Sequence, residues 1–206
     1  SFVRNAADAQ SAIDFIRESG GDAPIIAKIE KHEALQNFEA ILKVVDGVMI
    51  ARGDLGVEIP IHRIPNIQKR LIRRANEAGK PVITATQMLK SMTDSPRPTR
   101  AEVTDVANAI LDGSDAVMLS EETAVGSYPM EAVATLRNVA IETEKEFPFH
   151  KPDQEAIDFG RRFQDLDTSS EALSQEAVTG AAWRLASELK AKAILALTQS
   201  GSTTRM

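Results

Sequence analysis

Gly47-Val48-Met49-Ile50-Ala51-Arg52-Gly53-Asp54-Leu55-Gly56 is an apolar run that breaks without transition into a polar, glycine-spaced turn. An apolar stretch of this length bounded by turn residues has the pattern of a strand buried on both faces. The same design recurs on either side. Pro24-Ile25-Ile26-Ala27 leads to Lys28-Ile29-Glu30, Pro81-Val82-Ile83-Thr84-Ala85 leads to Thr86-Gln87, and Ala116-Val117-Met118-Leu119 leads to Ser120-Glu121-Glu122-Thr123. Phe2-Val3 is expected to be the end of a further strand.

Helical patterns fill the gaps. Leu35, Phe38, Leu42 and Val45 recur at helical spacing, as do Ile64, Ile67, Leu71 and Ala75, with Pro65 in the first turn and Gly79 at the stop. Thr99-Arg100-Ala101-Glu102 is a capping-box pattern ahead of Val103, Val106 and Ile110, and Gly113 closes that helix. Alternating strands and helices give an α/β fold with a parallel sheet and crossover helices. No GxGxxG follows the strands, which removes the support for a dinucleotide-binding open sheet. The strand-end residues Lys28, Asp54, Thr86 and Ser120 recur at intervals close to the roughly 31 residues that one unit of an eight-unit barrel takes. The expectation is a partial (β/α)8 barrel, about five strands of eight if Phe2-Val3 is counted.

The pattern changes after residue 126. A long helix is expected from Pro129 to about Phe147, with Val133, Leu136 and Ala140 on one face. Residues 148–170, polar and carrying Pro148 and Pro152, have the character of a linker. A helix near 171–190 with Val178, Ala181, Leu185 and Leu189 follows, then a strand at Ala193–Leu197 and the loop Thr198–Thr204. The domain expectation is therefore residues 1–147 for the barrel part and 148–206 for a linker with the first helix and strand of a second α/β domain.

Composition narrows the function classes. A net charge of −6 argues against a nucleic-acid backbone as the main partner, but leaves room for a phosphorylated small molecule held by local cations and a metal. The absence of cysteine excludes a disulfide framework and a thiolate zinc site. No apolar run reaches membrane-spanning length, and Ser1-Phe2-Val3-Arg4 lacks the shape of a signal peptide; a cytoplasmic location is expected.

Barrel active sites lie at the C-terminal ends of the strands. Alternation puts Lys28 and Glu30 on one side of their strand. Glu30 and Asp54, on neighbouring strand ends, form a pair of carboxylates suited to a hard cation such as Mg2+ (or Mn2+), which takes one or two carboxylates plus water and substrate oxygens. Lys28 beside them can stabilise a developing anion. Gly53 and Gly56 suit a backbone that presents N–H groups to an anion. Thr86 and Ser120 offer hydroxyls for proton relay or substrate binding. The structural alternatives are an ordinary Lys28–Glu30 ion pair, a turn role for Asp54, and helix caps at Thr86 and Ser120. His32, His62 and His150 lack ligand spacing, and Trp183 and the methionines fit a core role.

At these residues the chain resembles the pyruvate kinases. Ile26–Glu30 is similar to the family signature in which the lysine is catalytic and the glutamate a metal ligand. Met49–Gly56 is similar to the segment that supplies the metal aspartate, here Asp54, and the Gly53–Asp54 backbone that receives the substrate carboxylate. Ala85–Leu89, with the active-site threonine at Thr86, Pro96–Glu102, Asp105–Asn108 and Met118–Ala124 match further segments. Glu121 stands where the family more often has glycine. The resemblance runs from Ser1 to about Ala134.

It implies Mg2+-dependent phosphoryl transfer from phosphoenolpyruvate to ADP, giving pyruvate and ATP in glycolysis. Lys28, Thr86 and Ser120 take the catalytic roles, Lys28, Gly53, Asp54 and Thr86 bind substrate, and Glu30 and Asp54 hold the metal. A K+ ion is implied, with ligands in the family's N-terminal half, and so is a homotetramer. Leu197–Thr204 resembles the loop that holds a phosphate of a sugar-phosphate activator, implicating Thr198, Ser200, Gly201, Ser202 and Thr203. The chain alone is expected to be inactive or nearly so. Two other functions fit the residue pattern: a Mg2+-dependent phosphoenolpyruvate or pyruvate lyase, and a non-catalytic fragment that folds, oligomerises or binds an effector.

Overall fold

The computed structural model describes residues 1–146 and 170–197. The chain divides into two compact units, Ser1–Phe147 and Pro148–Met206.

The first unit is a parallel sheet with helices between its strands. Strand β1 spans Ile26–Ile29, β2 Gly47–Ala51, β3 Val82–Ala85 and β4 Ala116–Met118. Their order in the sheet is β1-β2-β3-β4, all neighbours parallel. A doubly wound sheet reverses strand order at a switch point. Four strands in strict succession instead form the arc of a barrel, as the sequence predicts. The register places Ile29 opposite Ile50, Ala51 opposite Ala85, and Ala85 opposite Met118, so the four strand ends lie on a common rim.

Helix α1 covers Ala6–Glu18, capped by Asn5, whose side chain accepts from the Asp8 N–H at 3.1 Å. It has no counterpart in the sequence reading. The expected helix around Leu35–Val45 breaks at Asn37 into α2 (His32–Gln36) and α3 (Phe38–Leu42). The Asn37 amide donates to the carbonyls of Arg4 and Glu33, both at 3.0 Å, so its side chain competes with helix continuation. Helix α4 spans Arg52–Glu58, where the sequence suggested a turn. Helix α5 (Ile64–Glu77) has Pro65 in its first turn and buries Ile67, Leu71, Ile72 and Ala75. Helix α6 (Arg100–Leu111) carries the predicted capping box in full, with Thr99 and Glu102 reciprocally bonded. Helices α7 (Glu121–Ala124) and α8 (Pro129–Glu144) complete the unit.

Two apolar clusters hold these elements. One joins Ile29, Val48, Ile50 and Val82 of the sheet to Ile41, Leu71 and Ile72 of the helices. The other gathers Met88, Leu89 and Met92 with Val106, Ala109 and Ala132, with Leu136 and Ala140 packed on it. Val133, assigned to the same face, is half exposed. Each large buried aliphatic contributes about 1.5–3 kcal/mol relative to exposure.

Two aspartates pin adjacent strand starts by one device. The Asp46 carboxylate accepts from the Ile25 N–H at 2.7 Å, and Asp115 from the Val82 N–H at 2.8 Å. Each returns its own N–H to the same neighbour's carbonyl, at 2.9 and 3.0 Å. Gly113, just before Asp115, has φ +98°, and a Cβ there would sit 2.6 Å from the Asn76 amide nitrogen. The left-handed backbone favours glycine here, and the Asn76 amide would have to shift to admit a side chain.

Phe2-Val3 is not part of the sheet. Phe2 has φ +59°, outside the strand region, and its N–H donates to Glu30 Oε1 at 2.6 Å.

In the second unit the expected helix is present as α9, Ser170–Glu188. Val178, Leu185 and Leu189 are exposed on or just beyond it. Ala193–Leu197 forms no strand, and Ile194, Leu195 and Leu197 are exposed. A strand needs a neighbour to satisfy its backbone, and none lies beside this segment among the described residues. The linker at 148–170, apart from its last residue, and the loop at 198–204 lie outside the described residues. No helix among the described residues is long and apolar enough to cross a membrane.

Candidate active site

The strand alternation that buries Ile29 turns Lys28 and Glu30 to the opposite side. There the Lys28 ammonium sits 2.5 Å from Glu30 Oε2 and 3.0 Å from Asp54 Oδ2, which comes from the first turn of α4. Glu30 is only 2% exposed. A carboxylate so enclosed needs charged and hydrogen-bonding partners, and it has Lys28 on one oxygen and the Phe2 N–H on the other. The Asp54 side chain is 54% exposed.

These contacts set the charge states. The hydrogen bond to Glu30 raises the Lys28 pKa above the ordinary lysine value, partial burial opposes this, and Asp54 adds to it. Asp54 is held below the usual carboxylate range, first by its hydrogen bond to Lys28. Lys28 is therefore an ammonium throughout the neutral range. Glu30 and Asp54 both turn hard oxygen donors toward the Lys28 ammonium. That donor set fits a divalent ion of the Mg2+ type, with water and substrate supplying the remaining ligands. Among the described residues no group of three or more His, Asp or Glu side chains forms an all-protein metal cage.

Beside this cluster lies a second one. The Gly53 N–H, one of the orphan donors at the start of α4, donates to Thr86 Oγ1 at 2.7 Å. Ala51, the cap residue of α4, supplies no side-chain bond of its own, so Thr86 caps this helix from the neighbouring strand end. A Cβ on Gly53 would lie 3.3 Å from Thr86 Oγ1, so glycine permits the approach. The Thr86 hydroxyl donates to the Ala85 carbonyl at 2.6 Å. Thr86 and Gln87 both have positive φ, +69° and +56°, costly for two successive residues with side chains.

Arg52, to which the sequence reading gave no role, is the hub of this second cluster. It is 8% exposed. Its Nη1 donates to Asp105 Oδ1 at 2.7 Å and to Gln68 Oε1 at 3.2 Å. Its Nη2 donates to the Thr86 carbonyl at 2.9 Å and approaches the Gln87 carbonyl at 3.4 Å and Met88 Sδ at 2.8 Å. An arginine following an apolar run and preceding glycine carries no local sign of burial, and only its distant partners show it.

Ser120 follows β4 as the cap residue of α7, without a side-chain cap bond. Its N–H donates to Glu122 Oε2 at 2.7 Å, and the other oxygen of this buried carboxylate accepts from the Leu89 N–H at 3.1 Å. Among the described residues no direct hydrogen bond joins Ser120 to Thr86 or Lys28. The structure thus unites Lys28, Glu30 and Asp54, unites Gly53 with Thr86, and leaves Ser120 apart. Thr198, Ser200, Gly201, Ser202 and Thr203 lie outside the described residues.

Residues 1–133 match the family described as pyruvate kinase, barrel domain. The chain is 50% identical to pyruvate kinase 2 of Synechocystis, aligned over all of this chain and 32% of that protein. It is 49% identical to the pyruvate kinase of Thermotoga maritima, over 98% of this chain and 41% of that one, and 49% identical to pyruvate kinase 1 of Saccharomyces cerevisiae, over 100% and 40%. The chain thus spans 32% to 41% of the length of these relatives. The family match, the parallel barrel arc and this identity across the whole chain agree: the chain belongs to the pyruvate kinase family.

Proposed function

We propose that the full-length protein transfers the phosphoryl group of phosphoenolpyruvate to ADP, giving pyruvate and ATP in glycolysis. The observation that carries this reading is the Lys28 ammonium held between the Glu30 and Asp54 carboxylates on the barrel rim. Family membership and the printed names of the relatives support it.

In this reaction the bond between phosphorus and the enol oxygen breaks and a bond from phosphorus to an ADP β-phosphate oxygen forms. The enolate left behind takes a proton at its terminal carbon. Glu30 and Asp54 are assigned as the residues that hold Mg2+ or Mn2+, which supplies neutralisation of substrate oxygens when bound. Lys28, kept protonated by its two carboxylates, neutralises charge on the phosphoryl group and the forming enolate. The backbone at Gly53 and Asp54 is assigned to the substrate carboxylate. The Gly53 N–H is engaged by Thr86 here, so binding there requires that bond to be shared or exchanged. Thr86, with Ser120 through water, is assigned to enolate protonation. The Thr86 hydroxyl points its proton at the Ala85 carbonyl here and must turn to serve the substrate.

The same reading gives the full-length protein a K+ ion, a cytoplasmic location and a homotetrameric assembly. It assigns residues 148–206 to the start of a regulatory domain, whose Thr198–Thr204 loop takes a phosphate of a sugar-phosphate effector. By themselves the 206 residues are expected to show little or no turnover, since among the described residues they supply four strands of the eight that such a barrel takes.

The test is the ADP dependence of pyruvate formation by the full-length protein with Mg2+ and K+. ATP produced in step with pyruvate supports the proposal. Consumption of phosphoenolpyruvate or pyruvate without ADP would support lyase chemistry instead.

A further inference from the structure

We infer that Arg52 is a positioning residue that sets the Thr86 hydroxyl for enolate protonation, acting through the Thr86 carbonyl. The inference rests on the assignment of Thr86 above.

Thr86 and Gln87 occupy two successive left-handed conformations, which side-chain-bearing residues adopt only when their surroundings impose them. Their carbonyls both face one group, Arg52 Nη2, at 2.9 and 3.4 Å. The guanidinium is fixed from behind by Asp105 on α6 and Gln68 on α5. Its Nε is buried without a hydrogen-bond partner, so the side chain is seated for its two forked nitrogens at the expense of the third. Through its backbone Arg52 opens α4, whose next N–H, on Gly53, holds the Thr86 hydroxyl at 2.7 Å. One residue therefore fixes Thr86 from both ends, the carbonyl by its side chain and the hydroxyl by the helix it begins. Lysine cannot reproduce this: a single ammonium lacks the planar fork that reaches Asp105 and the Thr86 carbonyl together.

The experiment uses the full-length protein and the variants R52K, T86A and R52K/T86A. Three readouts are the steady-state kinetics, the exchange of pyruvate methyl protons with D2O, and the Mn2+ dissociation constant. Misplacing a catalytic group by about an ångström costs up to about 100-fold. R52K is expected to lower kcat and the exchange rate about 10- to 100-fold, with KM for phosphoenolpyruvate and Mn2+ binding within about twofold. The double variant is expected to be no slower than T86A alone.

A general loosening of α4 would instead weaken Mn2+ binding in step with kcat, and that result overturns the inference. So does R52K at wild-type exchange rate, or additive losses in the double variant. T86A at full activity contradicts the assignment of Thr86 itself, and the inference falls with it. If R52K fails to fold, R52Q, whose uncharged amide ends two bonds short of the guanidinium nitrogens and so cannot reach both Asp105 and the Thr86 carbonyl, is read by the same criteria.

Discussion

Lys28 Nζ in β1 and Glu30 Oε2, on the residue that follows β1, are 2.5 Å apart on side chains two positions from each other. The pair is asymmetric in its exposure: Glu30 is sealed, whereas Lys28 is 30% open toward Asp54 and solvent. The ammonium is thus anchored from below and presented upward, a geometry suited to a cation that meets a bound anion.

Asp54 gives this cluster a dependence on acid. Its folded pKa lies below the ordinary carboxylate value because of Lys28, so its contribution to stability is present above about pH 4 and is lost as pH falls through the depressed value. The melting-temperature difference between wild type and D54N is expected to be level from pH 7 to about pH 5 and to shrink below about pH 4. A difference that grows on acidification would contradict the pairing. Solvent screening at this half-open site keeps the effect small.

Gly113→Ala is expected to destabilise the barrel unit by about 1–3 kcal/mol. It puts a Cβ on a residue at φ +98° and against the Asn76 amide. Chemical denaturation measures this directly. Asn76→Ala in the same background should recover the steric part and leave the backbone part.

Glu102 accepts four hydrogen bonds, from the N–H and hydroxyl of Ser91 and those of Thr99. Burial pushes its pKa up, yet the bonds from Ser91 and Thr99 outweigh this and hold it below the usual range. Glu102→Gln weakens both the cap of α6 and the tie to the 3-10 turn at Lys90–Thr93, at a cost of about 1–2 kcal/mol. Thr99→Ala, which removes one hydroxyl, is expected to cost less than Glu102→Gln in the same denaturation assay.

Glu39→Ala provides the contrast. The Glu39–Arg74 pair is short, 2.7 Å, but both side chains are largely exposed. Its loss is expected to cost under about 1 kcal/mol, less still in 1 M salt.

Much of this was legible in the sequence because it is local. The apolar runs at 47–51 and 82–85, the proline and glycine around α5, and the Thr99–Glu102 box each carry their signal within a few residues. The candidate site was legible for the same reason, since Lys28-Ile29-Glu30 states its own alternation. What escaped depends on partners far along the chain. Asn37 breaks a helix by reaching Arg4, and Ala193–Leu197 has strand composition without a strand to pair with among the described residues. Arg52 is buried only because Asp105 and the Thr86 carbonyl wait for it, and nothing in Thr86-Gln87 announces positive φ in the absence of glycine.

Lys28, between Glu30 and Asp54, is proposed to carry the phosphoryl-transfer chemistry of the full-length protein. The most direct measurement is the rate of pyruvate formation from phosphoenolpyruvate and ADP by the full-length protein, with Mg2+ and K+, in wild type and K28A. The account predicts ADP-dependent turnover in wild type and a loss of at least about 100-fold in kcat for K28A, with the variant still folded. K28A turning over at the wild-type rate would contradict it.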